Sequence, residues 1–247
     1  MSRASRTRAP LAAVALSFLS GSVPYSQLAA WRFAGADLRR VGSGKVSGTA
    51  LYQVAGFGPL AVAGLFEVAK GATGPLLGRR ALGAAVRRRA TGGRGPVSYL
   101  GAFTTAAAIA GHDWSPWMGG AGGRGLSPAL GATLLLAPEG TLVLAAGMAA
   151  GRLLRQSGLS TLLAALSLVA VLGMRRGASG TALGLAICVP MLVKRSLGDS
   201  PPQPVSESTD DARRAPLAAR LYSRLLFDRE PGAAHGAPQG CCRSAPQ

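Results

Sequence analysis

Apolar runs recur along the first 198 residues, and short stretches rich in glycine and arginine separate them. A straight helix needs about 20 apolar residues to cross a bilayer, and several runs reach that length only with flanking residues. The runs are Pro10 to Trp31, Thr49 to Leu77, Val97 to Gly111, Leu126 to Ala137, Thr141 to Gly151, Leu159 to Met174 and Gly177 to Val193. This pattern predicts an all-α protein, a polytopic transmembrane helical bundle of about seven spans.

Composition and charge agree with a membrane protein. Hydrophobic residues make up 48% of the chain and charged residues only 15%, and the 35 glycines suit close helix packing in lipid. Only four acidic residues precede Asp199, so the body carries the whole net charge of +17. The arginines fall between apolar runs and form no basic face interleaved with aromatic residues. We therefore expect a lipid bilayer as partner and no nucleic acid.

The N-terminus allows two interpretations. Arg3, Arg6 and Arg8 precede the first apolar run, as they would in a signal peptide. The run continues to Trp31, beyond any small-residue cleavage site, and this favours a first transmembrane helix.

Composition changes at Asp199, where prolines and then polar residues begin. We predict a transmembrane domain over residues 1–198 and a mostly disordered C-terminal tail over residues 199–247. Within the tail, Ala212 to Phe227 could form a short amphipathic helix at the membrane surface or a transient helix in a flexible segment.

A first basic loop runs from Gly35 to Gly48 and carries Arg39, Arg40 and Lys45 among glycines. Backbone N–H groups and cations in such a loop can hold a phosphate. It is not a Walker A loop, because Arg39 replaces a required glycine and Val46 replaces the magnesium-binding Ser or Thr. A flexible basic loop without a ligand is the alternative.

A second loop runs from Gly111 to Gly125 and includes His112, Asp113 and Arg124. Its last six residues satisfy GxGxxG, but no βαβ pattern surrounds them, and this excludes a Rossmann site. A glycine-arginine nest for an anion remains, and a ligand-free interfacial loop is the alternative.

If both loops serve one substrate, they must face the same side of the membrane. The two runs between them satisfy that condition and place glycine-rich basic loops on one face. Continuing the count puts a turn at Pro138-Glu139-Gly140 on the opposite side, and Arg152 to Ser160 back beside the loops. The N-terminus then lies opposite the loops and the tail beside them.

Glu67 and Lys70 lie three residues apart inside an apolar run, on one face of the predicted helix. Ionisable groups at such depth are costly, and they are usually paired or functional. The alternative is a mutually neutralising pair near a helix end.

Taken in order, these segments resemble the bacterial acyl-phosphate:glycerol-3-phosphate acyltransferase family. Its GSxP motif appears as Gly21-Ser22-Val23-Pro24, and a Ser-x-x-Ser pair as Ser157 and Ser160. The remaining matches are Gly35, Asp37, Arg39, Gly42, Ser43 and Gly44 for GxDxRxxGSGN, Glu67, Lys70 and Gly71 for DxxKG, and Gly111, His112, Gly122, Gly123 and Gly125 for GHxFP and KGGKG.

The chain departs from this pattern in three places. Both asparagines of GSGNxGATN are lost, Ala121 and Arg124 replace the two lysines of KGGKG, and the last motif lacks its His and Asn before Lys194-Arg195. A non-catalytic relative that binds lipid or an anion, or that acts in assembly, is therefore the alternative function.

The resemblance implies a multi-pass enzyme of the bacterial inner membrane that transfers a fatty acyl group from acyl phosphate to the 1-hydroxyl of glycerol 3-phosphate. It implies no metal and no cofactor. The catalytic residues would be His112, Lys70 and Ser43. Phosphate binding would fall to Arg39, Gly42, Gly44, Lys45, Gly122, Gly123, Arg124 and Gly125.

Overall fold

The computed structural model describes residues 3–41, 44–81, 99–198 and 217–222. These residues form helices joined by short loops, and no strand occurs among them. The helices are α1 (Arg3–Ser22), α2 (Tyr25–Ala34), α3 (Gly48–Ala55), α4 (Phe57–Ala81), α5 (Tyr99–Asp113), α6 (Leu126–Leu136), α7 (Pro138–Leu153), α8 (Ser157–Leu197) and α9 (Leu217–Tyr222). Short 3₁₀ turns cover Leu38–Arg40 and Pro116–Met118. The predicted all-α class is confirmed for this part of the chain.

Two of the predicted apolar runs are each divided into two helices. Pro24, which has no backbone N–H, separates α1 from α2 within the first run. Gly56, at φ +78°, separates α3 from α4 within the second. The break at Pro24 matters for the site, because it leaves the Val23 carbonyl available to a side chain of α4.

Helix α8 consists of two antiparallel arms, residues 157–176 and 178–197. The backbone leaves the helical region at Gly177, where φ is +62°. A Cβ on Gly180 would lie 2.0 Å from the Leu172 carbonyl oxygen, and Arg195 Nη1 donates to the Gly158 carbonyl over 2.6 Å. The arms match the two last predicted runs.

The predicted bundle of transmembrane helices is confirmed. Within the described residues, the segments long and apolar enough to cross a membrane are Arg8–Ala34, Phe57–Ala81 and Ser157–Leu197. Counting α1 with α2, α3 with α4, and the arms of α8 separately, the helices correspond to the seven predicted runs.

Glycines bring neighbouring helices into backbone contact. A Cβ on Gly71 of α4 would lie 2.0 Å from the Pro128 carbonyl oxygen of α6, and one on Gly131 of α6 would lie 1.9 Å from the Val68 carbonyl oxygen. Helices α1 and α5 meet in the same way at Gly111. The expected close packing through small residues is confirmed.

Both glycine-rich loops lie at one end of the bundle, as predicted. Met118 of the second loop packs in one buried cluster with Leu38 and Val46 of the first. Away from these loops, Arg176 and Glu139 form an ion pair, with Arg176 Nε 2.5 Å from Glu139 Oε1. The two loops can therefore act on one ligand.

The turn predicted at Pro138-Glu139-Gly140 is wrong, because these residues form the first turn of α7. The chain reverses one residue earlier, at Ala137, with φ −157° and ψ 79°. The fixed φ of proline suits the first helical position, where its missing N–H has no partner to lose.

Helix α8 ends one residue before the predicted domain boundary at residue 198. In the tail, the structure describes α9, which lies inside the predicted surface helix from Ala212 to Phe227. The rest of the tail lies outside the described residues, so its predicted disorder stays a prediction.

Candidate active site

The glycine loop, residues 114–125, is hydrogen-bonded to the C-terminal ends of α1 and α5. Ser115 Oγ donates to the Ser22 carbonyl over 2.7 Å, and Trp117 Nε1 donates to Ser22 Oγ over 2.8 Å. The Gly123 N–H donates to the His112 carbonyl over 3.2 Å, which folds the loop back onto the end of α5. These hydrogen bonds hold the loop against both α1 and α5.

Two glycines of the loop leave no room for a side chain beside His112. A Cβ on Gly122 would lie 2.2 Å from the His112 carbonyl oxygen, and one on Gly123 would lie 2.1 Å from His112 Nε2. Gly125 instead has φ +72°, where glycine is favoured. These contacts explain the glycines by packing and backbone conformation, and their predicted phosphate-binding role stays a prediction.

The C-terminal end of α8 forms hydrogen bonds with the same loop. Lys194 is buried, its Nζ donates to the Gly120 carbonyl over 3.1 Å, and it lies 5.6 Å from the centre of the Trp114 ring. Arg124 Nη1 donates in return to the Lys194 carbonyl over 3.0 Å. Lys194 was not among the predicted site residues, although it belongs to the Lys194-Arg195 pair by which the family's last motif was recognised.

A buried polar group, the Glu67 cluster, consists of Glu67, Lys70 and His112. Lys70 Nζ lies 2.7 Å and His112 Nδ1 3.2 Å from the same oxygen, Glu67 Oε2. Lys70 also donates to the Val23 carbonyl over 2.7 Å. The predicted pairing of Glu67 with Lys70 is confirmed, and the pair lies well inside α4 rather than near its end.

The first loop is ordered by Asp37 and Gln27. Asp37 Oδ1 accepts the Arg39 N–H over 3.0 Å, and its Oδ2 lies 2.7 Å from Arg39 Nη2. The Gln27 carboxamide accepts the Leu38 N–H and donates to the Ala36 carbonyl, both over 2.9 Å. These hydrogen bonds fix the 3₁₀ turn that contains Arg39.

The other predicted residues of the first loop follow that turn. Gly44 has φ +71°, and its N–H donates to the Val41 carbonyl over 3.0 Å. Lys45 is half-buried. The predicted residues Gly42 and Ser43 lie outside the described residues.

Asp37 gives this loop a pH dependence of definite sign. The side-chain hydrogen bond from Arg39 holds the pKa of the Asp37 carboxyl below its ordinary value of about 4. Such a carboxyl contributes its full stabilisation above that ordinary value and loses it as pH falls through the lowered pKa. We expect protection of residues 36–41 against amide exchange to hold from pH 8 to about 5 and Asp37→Asn to reduce it throughout. Unchanged protection in the variant would contradict this.

A small cleft lies between the glycine loop and the arms of α8. Two guanidinium groups and a hydroxyl share its wall with apolar side chains, so it has both a cationic and an apolar character. Its lining residues are Arg124, Thr161, Leu162, Ala165, Met191, Leu192 and Arg195.

The structure brings most of the predicted site residues to one end of the bundle. Lys70 and His112 meet through Glu67, and His112 contacts Gly122 and Gly123. Within the described residues, no group of three His, Cys, Asp or Glu side chains is arranged as metal ligands.

The family model of glycerol-3-phosphate acyltransferase matches residues 11–196 of the chain. The chain belongs to the glycerol-3-phosphate acyltransferase family. The match spans both loops, the Glu67 cluster and the end of α8. It supports the acyltransferase interpretation and adds nothing in favour of a non-catalytic relative.

Curated relatives agree with this family assignment. The chain is 33% identical over 181 residues to the glycerol-3-phosphate acyltransferase of Synechococcus sp. (strain CC9902), covering 73% of this chain and 84% of the relative. It is 32% identical over 181 residues to that of Cereibacter sphaeroides, covering 72% and 79% of the two chains.

Two solved structures share the fold of this family member. One is PlsY, an integral membrane glycerol 3-phosphate acyltransferase, in its glycerol 3-phosphate form, with a TM-score of 0.62 and 22% identity. The match covers 75% of this chain and 88% of that one. The lysophosphatidic acid form of PlsY matches with a TM-score of 0.58 and 20% identity. The fold of an integral membrane protein is thereby established.

Proposed function

We propose that this protein transfers a fatty acyl group from an acyl phosphate to the 1-hydroxyl of glycerol 3-phosphate, giving lysophosphatidic acid and inorganic phosphate. The observation that carries the proposal is the family match across residues 11–196. Relatives of bacterial origin point to phospholipid synthesis in a bacterial inner membrane.

The chemistry asks little of the protein beyond binding and alignment. The hydroxyl oxygen of glycerol 3-phosphate attacks the acyl carbonyl carbon, the bond from that carbon to the phosphate oxygen breaks, and the departing phosphate accepts the hydroxyl proton. The donor is already activated, so holding two phosphates and fixing the angle of attack supplies most of the catalysis. The transfer needs no metal, cofactor or covalent intermediate.

The cations at the loop end of the bundle suit two anionic substrates. We assign phosphate binding to Arg39 and Lys45 of the first loop and to Arg124 of the glycine loop. Their partners would be the loop glycines predicted for this role: Gly42, Gly44, Gly122, Gly123 and Gly125. Ser43, Lys70 and His112 would orient or polarise the reacting groups.

The cleft beside Arg124 suits an amphipathic substrate. Arg124 and Arg195 give its wall positive charge and Thr161 gives a hydroxyl, whereas Leu162 and Leu192 give apolar surface. This mixed lining supports a substrate that carries both a phosphate and an acyl group.

The test is transfer of labelled glycerol 3-phosphate into lysophosphatidic acid by the purified protein in detergent. We expect product with acyl phosphate and none with acyl-CoA. Product with acyl-CoA alone would refute the proposed donor. No product with either donor, from protein shown to be folded, would point to the non-catalytic alternative.

A further inference from the structure

Glu67 binds more groups than its pairing with Lys70 requires. Its Oε1 accepts the Ser26 N–H over 3.0 Å and the Ser26 hydroxyl over 3.2 Å. Its Oε2 faces both Lys70 Nζ, at 2.7 Å, and His112 Nδ1, at 3.2 Å. Glu67 is 4% exposed, and its carboxylate contacts residues of α2, α4 and α5.

His112 carries this contact on to the glycine loop. Its Nδ1 edge faces Glu67, and its Nε2 edge lies against Gly123 so closely that a Cβ there would fall 2.1 Å from Nε2. Its carbonyl accepts the Gly123 N–H over 3.2 Å. The imidazole therefore fills the space between the carboxylate and the residue that precedes Arg124.

Lys70 connects Glu67 to the break between α1 and α2. Its ammonium lies between Glu67 Oε2 and the Val23 carbonyl, which accepts over 2.7 Å. The ring of Tyr25 lies on a further side, with its centre 5.8 Å from Nζ. These contacts occupy the ammonium with protein groups.

Burying a carboxylate beside an ammonium is a poor way to gain stability, because desolvation offsets most of the attraction. Fixed geometry is a better reason to keep such a group, because a buried charge restricts each of its partners to one position. We infer that Glu67 is a positioning residue, which holds His112 and Lys70 so that the glycine loop and Arg124 are fixed against the break at Val23. This assignment rests on the proposed function and makes His112 a support of the loop rather than a general base.

Two substitutions of His112 separate support from base catalysis. The amide nitrogen of asparagine falls where Nδ1 lies and can donate to Glu67, whereas that of glutamine falls near Nε2. We expect His112→Asn to keep kcat/KM for glycerol 3-phosphate within about tenfold and His112→Gln to lose about a hundredfold. A general base would be lost in both, at about 10²–10⁴-fold each, and equal losses of that size would overturn the inference.

Glu67→Gln tests the carboxylate directly, with Glu139→Gln as its matched control. Both changes remove one charge from a glutamate paired with a cation, but Glu139 pairs with Arg176 away from the glycine loop. We expect KM for glycerol 3-phosphate to rise about tenfold or more in Glu67→Gln alone. Equal kinetics in the two variants would refute the inference, and if Glu67→Gln fails to fold, the His112 pair decides.

A measurement that needs no turnover keeps this inference separate from the proposed function. Amide exchange of residues 119–125, followed by mass spectrometry in detergent, should be about tenfold faster in Glu67→Gln than in Glu139→Gln. Faster exchange in a protein that transfers no acyl group would leave the positioning role standing and reject the proposed reaction. Equal exchange in both variants would reject the positioning role.

Discussion

Arg124→Ala is expected to lower the transfer of labelled glycerol 3-phosphate by at least about a hundredfold, the usual effect of removing a donor to charge that develops in a transition state. The side chain reaches from the glycine loop to the Lys194 carbonyl, 3.0 Å away, and lines the cleft with Arg195. Alanine would remove the cation that the chain keeps from the family's KGGKG motif and would also release the end of α8. The measurement is the initial rate at saturating acyl phosphate.

The control for Arg124→Ala is Arg152→Ala, which removes an exposed guanidinium from the last turn of α7. It changes the net charge equally and should leave the rate within about twofold, because Arg152 is exposed and does not line the cleft, and exposed charges contribute little. Arg124→Lys should fall between, since it keeps the charge but not the reach and forked geometry of arginine. Equal rates in the parent and Arg124→Ala would remove Arg124 from the site.

The sequence is informative about the bundle because lipid imposes a simple rule on it. Every span must be apolar and helical, so the runs predict the helices and the separate arms of α8. Ion pairs between neighbours on one helix face are equally readable, and Glu67 with Lys70 was predicted for that reason. The order of the loop motifs along the chain identified the family that it resembles.

Contacts between distant segments could not be read in this way. His112 meets Glu67 from another helix, and Lys194 meets Gly120 across 74 residues of chain. Such pairs depend on how far each helix is rotated about its axis, and the glycine contacts between backbones set that rotation. The same limit explains why Lys194 was recognised as part of a motif but was not predicted as a site residue.

The turn at Ala137 shows a more local limit. Pro138-Glu139-Gly140 contains two residues typical of turns, and a turn was predicted there. Proline at the first position of a helix follows equally from its fixed φ, so composition alone does not tell a turn from a helix start. In the structure α7 begins at Pro138, and Glu139 in its first turn forms an ion pair with Arg176.

The largest effect on stability is expected at Gly71 and Gly131, where α4 and α6 touch. A Cβ on either glycine would lie 2.0 Å or less from a backbone carbonyl oxygen, which no rotamer change can relieve. Gly71→Ala and Gly131→Ala should each destabilise the folded protein by about 2–3 kcal/mol, because the two helices must separate. Thermal unfolding in detergent, followed by circular dichroism, measures this.

Gly64→Ala is the matched control for the two interface glycines, since it lies on α4 with open space where its Cβ would be. Alanine there should stabilise the protein by about 0.5–1 kcal/mol, because glycine is the weaker helix former. Separation of α4 from α6 should also disturb the site, because Gly71 follows Lys70 and α6 begins directly after the glycine loop. A loss of stability in Gly64→Ala equal to that in Gly71→Ala would show that helix propensity, not backbone contact, sets the requirement for glycine.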